Sequence, residues 1–449
     1  MRKWNVPDSP TPKPPVWSAS GVSLRVALWA GFVVVHAWLV YLCFTAIGWP
    51  LGDVDVVYLG WATDAASGQA LVGITAPFVY PLLAFVPIFA ALAFGTASYT
   101  ATWLGIVTLL NAVAFAALTG RGRGPRALLA AAWWLAFLVL LGPIALARID
   151  SITAPLVILA VLWLRTRPVW GTVILTIATW VKIWPIALVA SLVIASKQRM
   201  RVLYAFLGTS TAIVVTALSL GSGLRVFSFI SEQTNRGIQI ESPVGAIWMV
   251  QAALRIPGSY IYYDHDILTF QVVGPGSAIA VALMTPALAL CIVVVLLIAV
   301  RATRAGASFE RLFPPLVLAL VVTLMAVNKV GSPQFVIWLA APTILGLLLR
   351  GRGWRTPTIL VTVIAGLTQL VYPYLYDWLL VANPLMVLAL SARNVLEFVL
   401  LAWAVREVWA LGSHAAHHAA HGAQNGDSNA APHDPPAAGL DRPILIPRE

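Results

Sequence analysis

The sequence predicts an all-α fold, a polytopic transmembrane helical bundle of about twelve spans. Its residues are 60% hydrophobic and only 10% charged, whereas a soluble domain carries roughly 25% charged residues. Apolar runs long enough to cross a bilayer as helices recur from Val22 to Trp409. Lys and Arg collect in short clusters between those runs, the pattern of cytoplasmic loops. Strand alternation is absent, so helices rather than a barrel satisfy the backbone in lipid.

Residues 1–21 are polar and Pro-rich, without a cleavage-site pattern, and read as a cytoplasmic N-terminal segment. The run 22–47 is too long for a signal-peptide core and reads as a retained first span. Further spans are expected at 98–118, 127–147, 151–164, 169–181, 183–195, 202–220, 277–300, 312–327, 335–349, 357–372 and 384–409. The pair 169–181 and 183–195 are each too short to cross when straight. They read as thin or broken helices meeting near Lys182 and Pro185. The run 78–94, interrupted by Pro81 and Pro87, is expected to dip without crossing. The transmembrane domain therefore spans 22–411. The remainder, 412–449, is rich in Ala, His and Pro and is expected to be a disordered cytoplasmic tail. His414, His417, His418 and His421 belong to that low-complexity tail rather than to a metal site.

Basic clusters at Arg121, Arg123 and Arg126, at Arg165 and Arg167, and over 197–201, 301–311 and 350–355 order the spans. Placing all of them in the cytoplasm puts both termini inside. The net charge of +11 is thereby accounted for, and no basic face interleaved with aromatics points to nucleic acid. The outward segments are then 49–77, 148–150, 221–276, 328–334 and 373–383. They hold Asp53, Asp55, Asp150, Glu232, Glu241, Asp264 and Asp266, and ionisable groups at a membrane edge mark a functional site. Cys43 and Cys291 fall inside apolar runs and form neither a disulfide framework nor a zinc spacing.

The first outward loop opens Gly52-Asp53-Val54-Asp55-Val56-Val57-Tyr58. A carboxylate there can act as general base toward a hydroxyl nucleophile, or be a solvated loop acid. Later come Phe78-Val79-Tyr80-Pro81, Arg148-Ile149-Asp150, Lys182-Ile183-Trp184-Pro185 and Gln239-Ile240-Glu241-Ser242. The series ends with Ser332-Pro333-Gln334-Phe335, four residues after Asn328, and with Arg393-Asn394.

In this order the motifs resemble glycosyltransferase family 87, bacterial membrane mannosyltransferases of the C-type superfamily, over about 22–409. The resemblance implies a C-type glycosyltransferase architecture and an extracytoplasmic active site in the plasma membrane. It implies transfer of a hexose, mannose foremost, from a polyprenyl-phosphate donor to a lipid-linked glycan acceptor with inversion, as in actinobacterial envelope glycolipid synthesis. No nucleotide sugar or other cofactor is implied. By position Asp53 matches the family's base, with Asp55 as competitor. Gln334 and Phe335 stand where better-known relatives carry histidines.

A leaving phosphate needs cationic or amide donors where charge develops. Arg148, Arg236 and Lys329 are candidates. Lys182 either joins them or snorkels to the interface. Tyr58, Tyr80, Asp150, Ser332 and Gln334 complete the expected substrate-binding set. Glu241 either binds hydroxyls or fixes its loop, and Arg393 either binds or pairs with Glu397 one helical turn on. Asp264, His265 and Asp266 are chain neighbours that cannot all face one ion, so no metal site is expected. Trp61, Tyr80, Trp184, Trp338 and Tyr374 read as interfacial belt, with one or two free to stack on a sugar. A twelve-helix secondary transporter is the rival reading, opposed by the lack of an internal repeat and by acids in loops rather than at the midplane.

Overall fold

The computed structural model describes residues 19–120, 123–164, 166–234 and 236–427. Expectations for the first eighteen residues, for Arg121 and Arg165, and for the tail past Asp427 lie outside the described residues. The helices in chain order begin with α1 (Ala19–Thr45), α2 (Leu59–Ala66), α3 (Phe85–Ala90), α4 (Tyr99–Thr119), α5 (Pro125–Leu141) and α6 (Asp150–Trp163). Next are α7 (Pro168–Val181), α8 (Ile186–Ala195), α9 (Arg199–Ser219), α10 (Ser228–Thr234), α11 (Ala246–Ala253) and α12 (Ser277–Arg304). The last are α13 (Phe309–Ala326), α14 (Ala340–Arg350), α15 (Arg355–Gln369), α16 (Tyr376–Leu380) and α17 (Pro384–Asp427).

Each expected span coincides with a helix, and the fold is the all-α membrane bundle that composition predicts. Among the described residues, 8 helical stretches are long and apolar enough to cross a bilayer. Four more, Leu82–Phe94, Asp150–Trp163, Pro168–Val181 and Ile186–Ala195, are shorter. At 1.5 Å per residue the last covers only ~15 Å, about half a hydrocarbon core. The predicted break lies at Lys182, whose backbone is extended (φ −150°, ψ 137°) between α7 and α8. A helix carrying buried polar backbone can stop there only because protein, not lipid, surrounds the break. The run 82–94 is likewise made of short helical turns, with Pro81 just before it and Pro87 inside α3. The core centres on α13 and the stretch Pro333–Tyr374, whereas α9 and α12 expose most of their apolar length, as lipid-facing helices do.

Two elements depart from expectation. The large loop carries an antiparallel hairpin, β1 (Tyr260–Asp264) with β2 (Thr269–Val273), in register Tyr260 to Val273. Its β-branched and aromatic residues pack on a small second core with Ile238, Ile240, Trp248 and Met249, which is what such side chains favour on a half-buried pleat. Helix α17 runs on to Asp427, into the stretch expected to be disordered. The Ala-rich sequence there favours helix, since Ala has the highest helix propensity.

Contacts sort the connections to two ends. At one end Arg25 donates to the carbonyls of Thr119 and Arg123. Arg350 donates to the Arg311 carbonyl and pairs with Glu407 at 3.1 Å, and Arg301 donates to Ser413 and lies over the Trp409 ring. This is the basic end. The acidic loops and their aromatic partners gather at the other.

Candidate functional site

The site begins where α1 ends. Asp53–Tyr58 forms a π-helical turn, a rare geometry that often marks functional positions. The turn sends its two acids different ways. Asp53 faces Arg148, with Oδ2 3.2 Å from Nε, and keeps 37% of its side chain exposed. Asp55 is bound on both oxygens: the Trp49 indole donates to Oδ2 at 3.1 Å and the Thr100 hydroxyl to Oδ1 at 2.5 Å.

The tripeptide 148–150 then wires the centre. Arg148 is buried and also donates to the Pro50 carbonyl, to the Ala147 carbonyl and to the Tyr372 hydroxyl at 2.8 Å. The Ile149 N–H donates to the buried Tyr58 hydroxyl at 3.1 Å. Asp150, at 0% exposure, opens α6, where the helix N-terminus favours a carboxylate. It accepts from the Trp338 indole at 2.6 Å and lies 3.6 Å from the Lys182 ammonium. Lys182 in turn sits over the Tyr80 ring at 4.3 Å and 5.6 Å from the Phe335 centroid, contacts that add cation–π attraction. The aromatics continue through Phe335–Trp338 and Trp184–Trp338 stacks at 4.2 and 5.8 Å. Trp184 and Trp338 are therefore core residues rather than interfacial belt, because their N–H groups have protein acceptors in Thr153 and Asp150.

A second cluster fixes the large loop. The Gln239 N–H donates to the Lys329 carbonyl at 3.0 Å, and Gly331 lies so close to the Ser242 backbone that no Cβ would fit. Arg393 donates to the Glu241 carbonyl, Asn394 to the Ser242 carbonyl, and Arg393 pairs with Glu397 at 3.8 Å. The Glu241 carboxyl is buried; Oε1 accepts from the Tyr376 hydroxyl at 2.5 Å, while Oε2 has no hydrogen-bond partner among the described residues. Burial pushes its pKa up to about 7, against the Tyr376 bond that lowers it. Arg393 thus pairs with Glu397 and clamps the Glu241 backbone, and one Glu241 carboxyl oxygen is left over.

Among the other expected residues, Arg236 is half-buried, donates to the Glu232 carbonyl, and has its pKa lowered by burial although Tyr80, Glu232 and Asp264 oppose that. Lys329 is buried at the foot of the loop, and burial lowers its pKa. Gln334 is buried, its Oε1 without a hydrogen-bond partner among the described residues, and Ser332 opens the 3-10 turn Pro333–Leu339. The Asp264–Asp266 stretch is an Asx turn, with Asp264 Oδ1 accepting the Asp266 N–H. No group of three or more His, Cys, Asp or Glu suited to a metal ion occurs among the described residues. Sequence reasoning missed Trp49, Thr100, Tyr372 and Tyr376. Thr100, Tyr372 and Tyr376 are distant in sequence from the groups they bind, and Trp49 reaches Asp55 six residues on only through the π-helical turn.

The structure thus joins Asp53, Tyr58, Tyr80, Arg148, Asp150 and Lys182 in one constellation, beside a clamped loop bearing Glu241. No curated protein and no solved structure matches the chain. Residues 75–254, which hold Tyr80, the 148–150 tripeptide, Lys182, Arg236 and Glu241, match glycosyltransferase family 87. That match makes this stretch similar to a family of membrane glycosyltransferases and supports the resemblance carried by the motifs.

Proposed function

We propose that the protein transfers a hexose, mannose foremost, from a polyprenyl-phosphate donor to a lipid-linked glycan acceptor, inverting the anomeric centre. The observation that carries this reading is the half-open Asp53 carboxylate facing the buried Arg148 guanidinium within reach of Lys182. Asp53 takes the proton of an acceptor hydroxyl. The oxygen attacks the anomeric carbon opposite the phosphate, and the carbon–oxygen bond to phosphate breaks with its electron pair. Negative charge moves from Asp53 to the leaving phosphate during this step. Arg148, released by neutralisation of Asp53, is then the nearest cation for it, with Lys182 and Arg236 beside it. Fixed cations placed where charge develops are the usual largest source of such catalysis. Asp55, engaged on both oxygens, serves the turn instead. Tyr58, Tyr80, Lys329, Ser332 and Gln334 line the approach.

The basic end faces the cytoplasm in this reading, so the site faces outward from the plasma membrane. Purified protein in detergent, given a short-chain polyprenyl-phosphate mannose and a glycolipid acceptor, should form the glycoside. Movement of that donor across vesicles without chemistry would instead identify a transporter. Cysteines at the exposed Ser67 and Asp266, in a chain lacking Cys43 and Cys291, should react with an impermeant thiol reagent in intact cells. A cysteine at Arg352 should react only after permeabilisation; the reverse pattern overturns the orientation.

A further inference from the structure

We propose that Asp150 is a positioning residue for the transfer: it does not reach the substrate and acts by holding the Lys182 ammonium where the donor phosphate lies. The proposal rests on the reading above and deepens it. Among the expected substrate contacts Asp150 is the carboxylate sealed completely from solvent, at 0% exposure. Its carboxylate is held from both sides. Trp338 Nε1–H donates to Oδ1 at 2.6 Å, and Trp338 is itself fixed between Phe335 and Trp184. Trp184 Nε1–H donates to the Thr153 hydroxyl, which donates to the Asp150 carbonyl. The carboxylate therefore cannot turn toward a sugar without dismantling this chain of contacts.

Among the described residues Oδ2 has no hydrogen-bond partner, and the Lys182 ammonium lies 3.6 Å from it. A buried carboxylate with a spare oxygen is costly unless a cation answers it. Lys182 needs Asp150 equally. Its other close neighbours are the faces of Tyr80 and Phe335, which attract a cation but accept no strong hydrogen bond. An ammonium has three donors, and one carboxylate oxygen cannot use them all. The donors left over are what a phosphate oxygen would take. Because Lys182 stands on the extended break between α7 and α8, its backbone has no helix to orient it. The carboxylate does so instead, from the first residue of α6. Asp53 and Asp150 thus divide the work: one meets the acceptor, the other sets a cation for the leaving group.

A double-mutant cycle on purified protein tests this, with a short-chain polyprenyl-phosphate mannose as donor. Asp150→Asn keeps the acceptor for Trp338 and removes the charge. It should lower kcat/KM for the donor by roughly 10- to 100-fold, the range of coupling between contacting residues, and leave the acceptor KM within about twofold. In a Lys182→Met chain the same change should cost less than about threefold, because its effect runs through Lys182. A full, additive loss in the Lys182→Met chain, or a loss confined to acceptor KM, overturns the assignment while the reaction stands. Absence of transfer by the unaltered protein overturns the reaction and the assignment together. Should Asp150→Asn fail to fold, Trp338→Phe removes the orienting hydrogen bond and keeps the stack. It should show the same donor-selective loss at smaller size, and an equal loss for donor and acceptor overturns the proposal.

Discussion

The two ends of the bundle both pair cations with carboxylates and bury the pairs differently. At the basic end Arg350 and Glu407 approach to 3.1 Å, the shortest ion pair among the described residues, with 20% and 26% of their side chains exposed. At the site end Arg393 and Glu397 are 3.8 Å apart with both at 3%. Lys182–Asp150 is nearly as enclosed at 3.6 Å. Distance would rank the first pair strongest. Desolvation reverses the ranking: a partly solvated pair contributes about 0–1 kcal/mol, whereas removing one partner of a buried pair costs about 3–5 kcal/mol. Asp53–Arg148 lies between these, with a buried cation and a half-open carboxylate. That asymmetry suits a base, which must be held and still be reachable.

The largest effect should come from the half-open pair. Asp53→Asn keeps shape and removes the proton acceptor, so turnover should fall by ~10²–10⁴ while folded yield and donor binding persist. Asp55→Asn should be milder, below ~10-fold, because the Asn oxygen can still accept from Trp49 while its NH2 donates to the Thr100 hydroxyl. Near-normal turnover of the first variant with a dead second one would reverse the assignment of the base.

The contrast between buried and exposed pairs is sharpened next by Arg393→Met. It strands Glu397 and strips the clamp from the Glu241 carbonyl, and should cost about 3–5 kcal/mol, read as a lowered melting temperature in detergent. Adding Glu397→Leu should restore part of that loss, since the orphaned carboxylate is gone. If the double variant melts no higher than the single one, the Glu241 clamp rather than the buried charge dominates.

How much of this was legible beforehand depends on what physics writes locally. Apolar runs, basic clusters and the break at Lys182 are local consequences of lipid, so the sequence carries them openly. Asp53 was placed by its distance from the first span, and Arg393–Glu397 by helical spacing. The different surroundings of Asp53 and Asp55 were not legible, because Trp49 and the π-helical turn set them together with Thr100, 45 residues on. Tyr372 and Tyr376 bind Arg148 and Glu241 across 224 and 135 residues, contacts that only the packed bundle creates. The hairpin had a signal, aromatic and β-branched residues on both sides of an Asp-His-Asp turn, but it lies in a chain dominated by helical runs. Trp184 and Trp338 were misplaced for the opposite reason: a Trp near a span end suits a membrane interface equally well, and only a distant acceptor tells the two apart.

A smaller effect belongs to Glu241, where burial acts without a paired cation on the carboxyl. Its pKa is about 7 in the fold, against 4.5 for an ordinary glutamate. The folded chain therefore binds more protons than the unfolded one between those values. Stability is favoured below about 4.5 and lost as pH rises through about 7. The full swing is roughly 3 kcal/mol. Melting temperature should fall from pH 5 to pH 8, and Glu241→Gln, neutral throughout and able to accept from Tyr376, should flatten that fall. An unchanged slope in the variant would assign the pH dependence elsewhere.

The smallest effect is expected at the basic end, and it tests the comparison from its other side. Glu407→Gln removes the charge from the shortest ion pair while leaving an amide oxygen for Arg350, which also donates to the Arg311 carbonyl at 3.0 Å. Water reaches both partners, so the guanidinium loses little when its counter-charge goes. The change should move stability by about 1 kcal/mol or less and leave transfer unaltered, because no group of the site touches α17 at that depth. Raising salt should shrink even this effect, as it does for solvated pairs. A loss as large as that of Arg393→Met, measured on the same preparation, would mean that the basic end is shielded from water in the assembled membrane. Burial in the isolated chain would then no longer rank these pairs.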